Sequence, residues 1–186
     1  NSSWGQLAYL INTHSIGSTQ EPYTILEWEA YGAANAFAYK APFVLEFSFN
    51  NQQYFLINVH FKCCGDGTID QSNIYDEELR RLQASLLLYE YINEYLPNDN
   101  VIVLGDLNDE LLDSPNNNVF QIFIDDSENY LFADIDLANT VNEDNWSFPN
   151  WPSHIDHILI TNELFDNVIT TETALINLSL SGGWGE

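Results

Sequence analysis

A strand pattern, a long helix pattern and a second strand pattern follow one another in the middle of the chain. Residues 53–61 alternate between two faces, and residues 79–96 carry apolar side chains at helical spacing. Residues 101–104 are a short apolar run rich in β-branched side chains, as expected of a buried strand. This order predicts two neighbouring parallel strands joined by a crossover helix, with both strand ends at one edge of the sheet.

Weaker patterns predict the elements around this unit. Residues 42–49 and 53–61 form a predicted β-hairpin with the turn at 50–52. Further strands are predicted at 6–12, 151–161 and 172–180. The polar region 116–150 is predicted to be irregular, with one short helix near 119–124.

The long helix has recognisable start and stop signals. Ser72 or Asn73 is the predicted cap, and Asp76, Glu77 and Glu78 place negative charge in the first turn. The predicted apolar stripe consists of Leu79, Leu82, Leu86 and Tyr89. Pro97 ends the helix. Arg80 and Arg81 are expected to pair with acidic neighbours on the same helix.

The composition predicts a strongly acidic folded domain. The 186 residues include 28 acidic and only 4 basic residues, for a formal net charge of −24, and 45% are hydrophobic. We predict one domain over residues 1–186, with no membrane span, because no apolar run approaches about 20 residues. Such a surface repels polyanions at long range, and adaptation to salty or cold water is the favoured explanation for it.

The strand at 101–104 runs into the sequence Gly105-Asp106-Leu107-Asn108. Alternation along an extended chain would point Asp106 and Asn108 to the same side. A carboxylate beside a carboxamide at a sheet rim suits binding of a hard cation and polarisation of a water molecule, although an ordinary turn has the same composition. Because the crossover brings the two strand ends together, His60 is expected beside Asp106 and Asn108.

Cys63 and Cys64 are adjacent and cannot join distant segments in the manner of a secreted disulfide framework. A vicinal disulfide, two free thiols and bonds to a segment outside the sequence all remain open.

Three motifs stand in order along the chain: Asn58-x-His60, Gly105-Asp106-x-Asn108 and Ile155-Asp156-His157. Together they resemble the endonuclease/exonuclease/phosphatase superfamily, the metal-dependent phosphodiesterases related to deoxyribonuclease I. The sequence at 60–67 is similar to the secreted bacterial branch. The resemblance implies an α/β fold, a two-sheet mixed β-sandwich flanked by helices, and an extracellular location.

The resemblance also implies catalytic roles for four residues. His60 would contact the scissile phosphate or protonate the leaving oxygen. Asp106 would activate the attacking water, and Asn108 would orient that water or the phosphate. Asp156 would hold a second histidine. Asp106 and Asn108 are also the predicted metal ligands, and their oxygens favour Mg²⁺, Mn²⁺ or Ca²⁺.

Substrate binding is assigned to three further residues, Lys40, Asn58 and Lys62. Lys40 lies where many members of the superfamily place a cation that steadies phosphate, and Lys62 shares a strand face with His60. Asp109 and Glu110 could support the metal ligands from outside, but exposed acidic side chains are the expectation for both. As an alternative to its catalytic role, Asp156 could cap its strand or pair with His154. His157 is expected to be structural and on the opposite side of its strand from Asp156.

The chain departs from the superfamily pattern at both ends. The superfamily begins with a strand carrying a metal-associated Asn and a later strand carrying a metal-binding Glu, and it closes with Ser-Asp-His. The sequence lacks these motifs, and residues 182–186 resemble the lead-in to the last one. We therefore expect an incomplete core of the fold.

The leading prediction is a divalent-metal-dependent phosphodiesterase, an extracellular nuclease with nucleic acid as substrate and no obligate protein partner. One alternative is hydrolysis of phospholipid or sugar-phosphate esters, because a fold does not decide the substrate. Another alternative is a catalytically silent extracellular module that binds calcium.

Overall fold

A computed structural model describes residues 7–18, 20–27, 32–140, 142–148 and 153–173. The strands are β1 (Gly17–Ser18), β2 (Tyr23–Thr24), β3 (Phe43–Phe49), β4 (Gln52–His60), β5 (Asn100–Asp106), β6 (Tyr130–Phe132) and β7 (Asp156–Thr161). The α-helices are α1 (Ala33–Ala36), α2 (Glu77–Tyr95), α3 (Gln121–Asp125) and α4 (Ile135–Ala138). Two short 3₁₀ helices occupy Glu143–Asn145 and Asn162–Asn167.

The described strands form one mixed sheet in the order β1-β3-β4-β5-β7-β6, with β2 also paired to β3. Strands β4 and β5 are parallel, and α2 connects them, so the predicted crossover is confirmed. The other strand pairs are antiparallel. The predicted α/β class, with a mixed sheet flanked by helices, is confirmed; the described residues include one of the two predicted sheets.

The hydrophobic core lies between one face of this sheet and the helices. Ile57 and Val59 of β4 and Val101 and Val103 of β5 are almost completely buried, in one cluster with the buried face of α2. That face of α2 is built from Ala84, Leu88 and Ile92. Burial of each large aliphatic side chain stabilises the fold by about 1.5–3 kcal/mol. The β3–β4 hairpin turns at Asn50 and Asn51, which both have positive φ, as a two-residue type I′ turn requires.

Several local predictions were wrong. The cap of α2 is Asp76, whose carboxylate accepts from the Leu79 N–H, because the helix begins later than the Ser72 or Asn73 signal suggests. Leu86 is exposed, since the buried face is rotated toward Ala84, Leu88 and Ile92.

The region predicted to be a strand at the start of the chain and the region predicted to be irregular at 116–150 also differ from the structure. Residues 7–12 form no strand, and the Tyr9 hydroxyl instead bonds to the Phe43 and Leu56 carbonyls. Residues 116–150 contain β6 and α4 besides the predicted short helix. Residues 6, 151–152, 174–180 and 182–186 of the predicted segments lie outside the described residues. No helix in the described part of the chain is long and apolar enough to cross a membrane.

Candidate active site

The ends of three neighbouring strands meet at one edge of the sheet. In the sheet register, His60 at the end of β4 is paired with Asp106 at the end of β5, and Asp106 is paired with Asp156 at the start of β7. Paired residues on adjacent strands project from the same face. The sheet therefore brings His60, Asp106 and Asp156 side by side, as the crossover argument predicts for the first two.

Lys40 joins this group from the segment before β3. Its Nζ lies 3.1 Å from Nδ1 and 3.2 Å from Nε2 of His60, and His60 Nε2 lies 3.6 Å from Asp106 Oδ2. The His60 and Asp106 side chains are each 36% exposed, so solvent and a ligand can reach both. A lysine ammonium can donate only to a ring nitrogen that carries no proton.

The turn after β5 is held from two sides. The Leu107 and Asn108 N–H groups both donate to the Ile155 carbonyl, at 2.9 and 3.2 Å. The Asn108 side-chain amide donates to the Phe61 carbonyl at 3.3 Å, and the Asn108 N–H is also 3.2 Å from Asp106 Oδ1. Asn108 has a φ of 55°, a left-handed conformation that asparagine tolerates better than most residues. These contacts position Asn108 next to Asp106.

Asp106 and Asp156 form a pair of neighbouring carboxylates. Burial raises the pKa of Asp106, and the Asp156 charge raises it further, while His60 opposes both. The Asp156 N–H donates to the Ser147 hydroxyl at 3.0 Å, and so does the Ile155 N–H at 2.9 Å. The two carboxylates repel each other and offer several oxygen atoms. A bound divalent cation would stabilise the pair, because its charge offsets the repulsion and it prefers oxygen ligands.

Gly105 allows β5 to approach β4 at this point. Its φ is +141°, and a Cβ on this residue would overlap the Val59 carbonyl oxygen. The glycine of the Gly-Asp-x-Asn motif is therefore required by backbone packing directly before Asp106.

Asp109 is buried, contrary to the predicted exposed acidic residue. Arg81 Nε donates to Asp109 Oδ2 at 2.7 Å, and both side chains are at least 93% buried. Arg81 Nη1 also donates to the Lys62 and Cys64 carbonyls, each at 2.7 Å. Burial raises the pKa of Asp109, and Arg81 opposes that rise. Arg81 thus ties α2 to the segments that follow the ends of β4 and β5.

Arg81 was predicted to pair with acidic neighbours on its own helix. Its Nη2 does lie 3.3 Å from Glu78, three residues earlier. The signal for the longer connection was present, because Arg81 lies on the same helix face as Ala84 and Leu88, where an unpaired charge is costly.

The other predicted substrate-binding residues are held by different partners. Lys62 Nζ donates to the Cys63 carbonyl at 2.7 Å and lies 3.6 Å from Glu77. The Asn58 side-chain amide donates to the Ala8 carbonyl at 3.5 Å, and its backbone N–H donates to the Tyr9 hydroxyl at 3.0 Å. Of the three predicted residues, Lys40 is the one that the structure brings against His60.

Cys63 and Cys64 are exposed free thiols with their sulfur atoms 3.0 Å apart. The hydrogen bond between them lowers the pKa of Cys63 and raises that of Cys64.

His154 and His157 are both paired with Asp134, so the alternative in which Asp156 pairs with His154 is wrong. The alternation along β7 buries His157 on the face opposite Asp156, as predicted. Together with Asp134, they form one of the two groups of potential metal ligands among the described residues, the other being Asp76, Glu77 and Glu78.

A sequence model described as the "Endonuclease/Exonuclease/phosphatase family" matches residues 3–175. No match is found among curated proteins.

Solved structures with the same fold include a humanized TDP2 from D. rerio, which is 12% identical, with 87% of this chain and 55% of that chain covered and a TM-score of 0.50. D. rerio TDP2 complexed with a single-strand DNA product is 13% identical over 80% of this chain and 54% of that chain, with a TM-score of 0.50. The human Nocturnin catalytic domain with a bound sulfate anion is 16% identical over 80% and 49%, also with a TM-score of 0.50. This chain therefore spans about half the length of these structures.

Proposed function

The chain belongs to the endonuclease/exonuclease/phosphatase family, and from that premise we propose that it hydrolyses phosphodiester bonds with the help of a divalent metal ion. Nucleic acid is the proposed substrate, and an extracellular location is proposed with it. The observation that carries the proposal is the alignment of His60, Asp106 and Asp156 across three adjacent strand ends, with Lys40 against His60.

Each residue has a task that its surroundings support. Asp106 accepts a proton from the attacking water, because its carboxylate lies between His60 and Asn108 at a strand end that solvent can reach. Asn108 is held beside it by backbone contacts and orients that water or a phosphate oxygen. His60 lies on the other side of Asp106 and interacts with the leaving oxygen. Lys40 neutralises charge on the phosphate.

The residues fit a hard divalent cation. Asp106 and Asn108 offer carboxylate and carboxamide oxygens, and the repulsion between Asp106 and Asp156 is relieved by a positive ion. When bound, Mg²⁺ or Mn²⁺ supplies charge neutralisation at the phosphoryl oxygens. This charge also lets a protein with a net charge of −24 bind an anionic substrate at the site itself.

The test is cleavage of supercoiled plasmid DNA in Mg²⁺, with and without EDTA. We expect wild-type protein to nick the plasmid and EDTA to abolish nicking. Asp106→Asn should lower the rate by roughly 10²–10⁴-fold, because it removes the proposed base. Asp166→Asn makes the same change of charge at an exposed position and should keep the wild-type rate.

Equal activity of Asp106→Asn and wild-type protein would refute the role of Asp106. Parallel assays with single-stranded RNA, phospholipid vesicles and sugar phosphates identify the substrate class. The TDP2 structure holding a DNA product favours nucleic acid among them. Hydrolysis of lipid or sugar phosphate without nucleic-acid cleavage would replace the proposed substrate, and no hydrolysis of any of them would overturn the proposed activity.

A further inference from the structure

Asp134, His154 and His157 form a buried cluster on the other side of β7 from Asp156. Asp134 follows β6, His154 precedes β7, and His157 lies within it. His154 Nε2 is 2.9 Å and His157 Nδ1 is 2.6 Å from the same oxygen, Asp134 Oδ2. All three side chains are more than 90% buried.

The remaining nitrogen of each ring faces a backbone carbonyl. His154 Nδ1 lies 2.8 Å from the Asn145 carbonyl, and His157 Nε2 lies 2.8 Å from the Asp109 carbonyl. A carbonyl accepts but cannot donate, so each of these nitrogens carries a proton. The other two ring nitrogens, His154 Nε2 and His157 Nδ1, then carry lone pairs. Together with Asp134 Oδ2 they form three converging ligand atoms for a cation.

This set is stable only with positive charge between its members. If both rings are neutral, two nitrogen lone pairs point at a carboxylate oxygen, which is repulsive. Asp134 Oδ2 lies against both rings, and its Oδ1 accepts from the Ile158 N–H, so the carboxylate faces only groups that suit its ionised form if the rings carry protons or share a cation. The cluster therefore needs either extra protons on the imidazoles or a metal ion.

The ring nitrogens that do not face Asp134 make the hydrogen bonds that are typical of histidines bound to a metal. Such ligands commonly donate their second N–H to a backbone carbonyl, which fixes the ring orientation. The Ile158 N–H bonds to Asp134 Oδ1 at 2.9 Å and orients the carboxylate in the same way. Phe120 and Phe132 contact the His157 ring edge-on and exclude water from its inner side.

An opening leads to the cluster. A cleft of about 340 Å³ is lined by His154, His157 and Asp134 and also by Asp156, so it extends from the cluster to the edge of the proposed active site. It gives an ion a route inward and leaves room for a water molecule as a further ligand, the arrangement found at zinc sites with three protein ligands.

We propose that Asp134, His154 and His157 form a binding site for a transition-metal ion of the Zn²⁺ type, separate from the proposed magnesium site. Two imidazoles and one carboxylate are a ligand set that Zn²⁺ accepts and Mg²⁺ does not prefer. The ion joins the segments after β6 and before β7 to β7 itself, so it stabilises the fold. Through the bond from His157 to the Asp109 carbonyl, it also supports the turn that carries Asn108.

The experiment is a titration of EDTA-treated protein with Co²⁺, followed by visible absorption, and then displacement by Zn²⁺. One equivalent of Co²⁺ should produce ligand-field bands, and Zn²⁺ should remove them while excess Mg²⁺ does not. This readout is independent of phosphodiester hydrolysis, so failure of either proposal can be recognised separately.

The chain contains 4 histidines, which supply matched variants. His154→Gln and Asp134→Asn should weaken Co²⁺ binding by more than the roughly 10–100-fold caused by loss of an outer contact. His14→Gln and His60→Gln should keep the bands. Bands that survive in His154→Gln, or disappear in His60→Gln, would overturn the assignment.

Wild-type protein provides a test that does not depend on the folding of a variant. X-ray absorption of the Zn²⁺-loaded protein should show a nitrogen and oxygen shell with two imidazole rings. A sulfur shell would indicate Cys63 and Cys64 instead, and absence of stoichiometric Co²⁺ or Zn²⁺ binding would mean that the cluster holds protons only. Either result would refute the proposal.

Discussion

Lys40 is the basic residue closest to the proposed reacting groups, and its position depends on the chain before β3. The backbone folds back after α1, where Ala38 and Tyr39 both have positive φ, and the Lys40 N–H bonds to the Phe37 carbonyl at 2.8 Å. Lys62 shares a strand direction with His60, but its ammonium is held by the Cys63 carbonyl and Glu77. The two lysines carry the same charge, but the Lys40 ammonium contacts His60 whereas the Lys62 ammonium contacts Glu77 and the Cys63 carbonyl.

Replacement of Lys40 by Gln should raise KM for plasmid DNA by roughly 10- to 150-fold, because a charge-assisted bond to phosphate contributes about 1.5–3 kcal/mol and about 1.4 kcal/mol is a factor of ten. Lys62→Gln changes the net charge equally and should raise KM much less. Steady-state kinetics at constant ionic strength measure both variants. Equal increases in KM would mean that long-range charge, and not the position of Lys40, determines substrate binding.

Arg81 shows how one buried residue connects the site to the scaffold. It bonds to Asp109 and to two carbonyls of the segment after β4. Sequence reasoning placed Arg81 on the helix correctly, but could not identify partners 17 to 28 residues away, because these contacts exist only once α2 packs on the sheet.

Among the elements, the approach of β5 to β4 is the most constrained feature. Gly105→Ala should destabilise the protein strongly, since the new methyl group meets the Val59 carbonyl in addition to the unfavourable φ. Gly67 also has a positive φ, of +79°, but there is open space around it. Gly67→Ala should therefore lower the free energy of unfolding by about 1–2 kcal/mol. Gly105→Ala should cost roughly 1–3 kcal/mol more. Urea unfolding measures the difference, and similar free energies of unfolding would contradict the close approach.

Helix α2 offers a second test at this scale. Asp76→Ala should lower the free energy of unfolding by about 0.5–2 kcal/mol, because it removes the acceptor for the Leu79 N–H. Ser72→Ala, at the position favoured by sequence alone, should have little effect. Thermal and urea denaturation distinguish the two caps, and a larger effect at Ser72 would restore the sequence-based assignment.

For the whole molecule, charge is the dominant property. The four basic residues all lie in the sequence from Lys40 to Arg81. Each of them contacts a nearby group: Lys40 contacts His60, Lys62 contacts Glu77, Arg80 contacts the Asn35 carbonyl and Arg81 contacts Asp109. Lys40 is thus the cation that contacts a residue of the proposed site, and the 28 acidic residues leave most of the negative charge uncompensated.

Repulsion among these charges should make stability depend on salt. Increasing NaCl from about 0.01 M to about 1 M shortens the screening length from about 30 Å to about 3 Å. We expect the melting temperature to rise, by roughly 2–4 °C for each kcal/mol of repulsion removed. Tetramethylammonium chloride should act similarly if screening is responsible. An unchanged or lower melting temperature would show that self-repulsion does not limit stability.

The sequence alone was sufficient to predict the α/β class, the crossover from β4 through α2 to β5, the hairpin before it and the juxtaposition of His60 with Asp106. These features follow from short-range periodicity and from motifs within single strands. It also indicated the family, since three motifs in order are more specific than any one of them. The roles assigned to the site residues stay predictions.

Only the tertiary structure decided which partners the buried polar groups have. It placed Asp109 against Arg81, capped α2 with Asp76 and assembled Asp134, His154 and His157 from three separate segments. Periodicity reports which side of an element a residue occupies. Partner choice depends on how distant elements pack, because a buried charge must be neutralised by whatever group the fold brings to it.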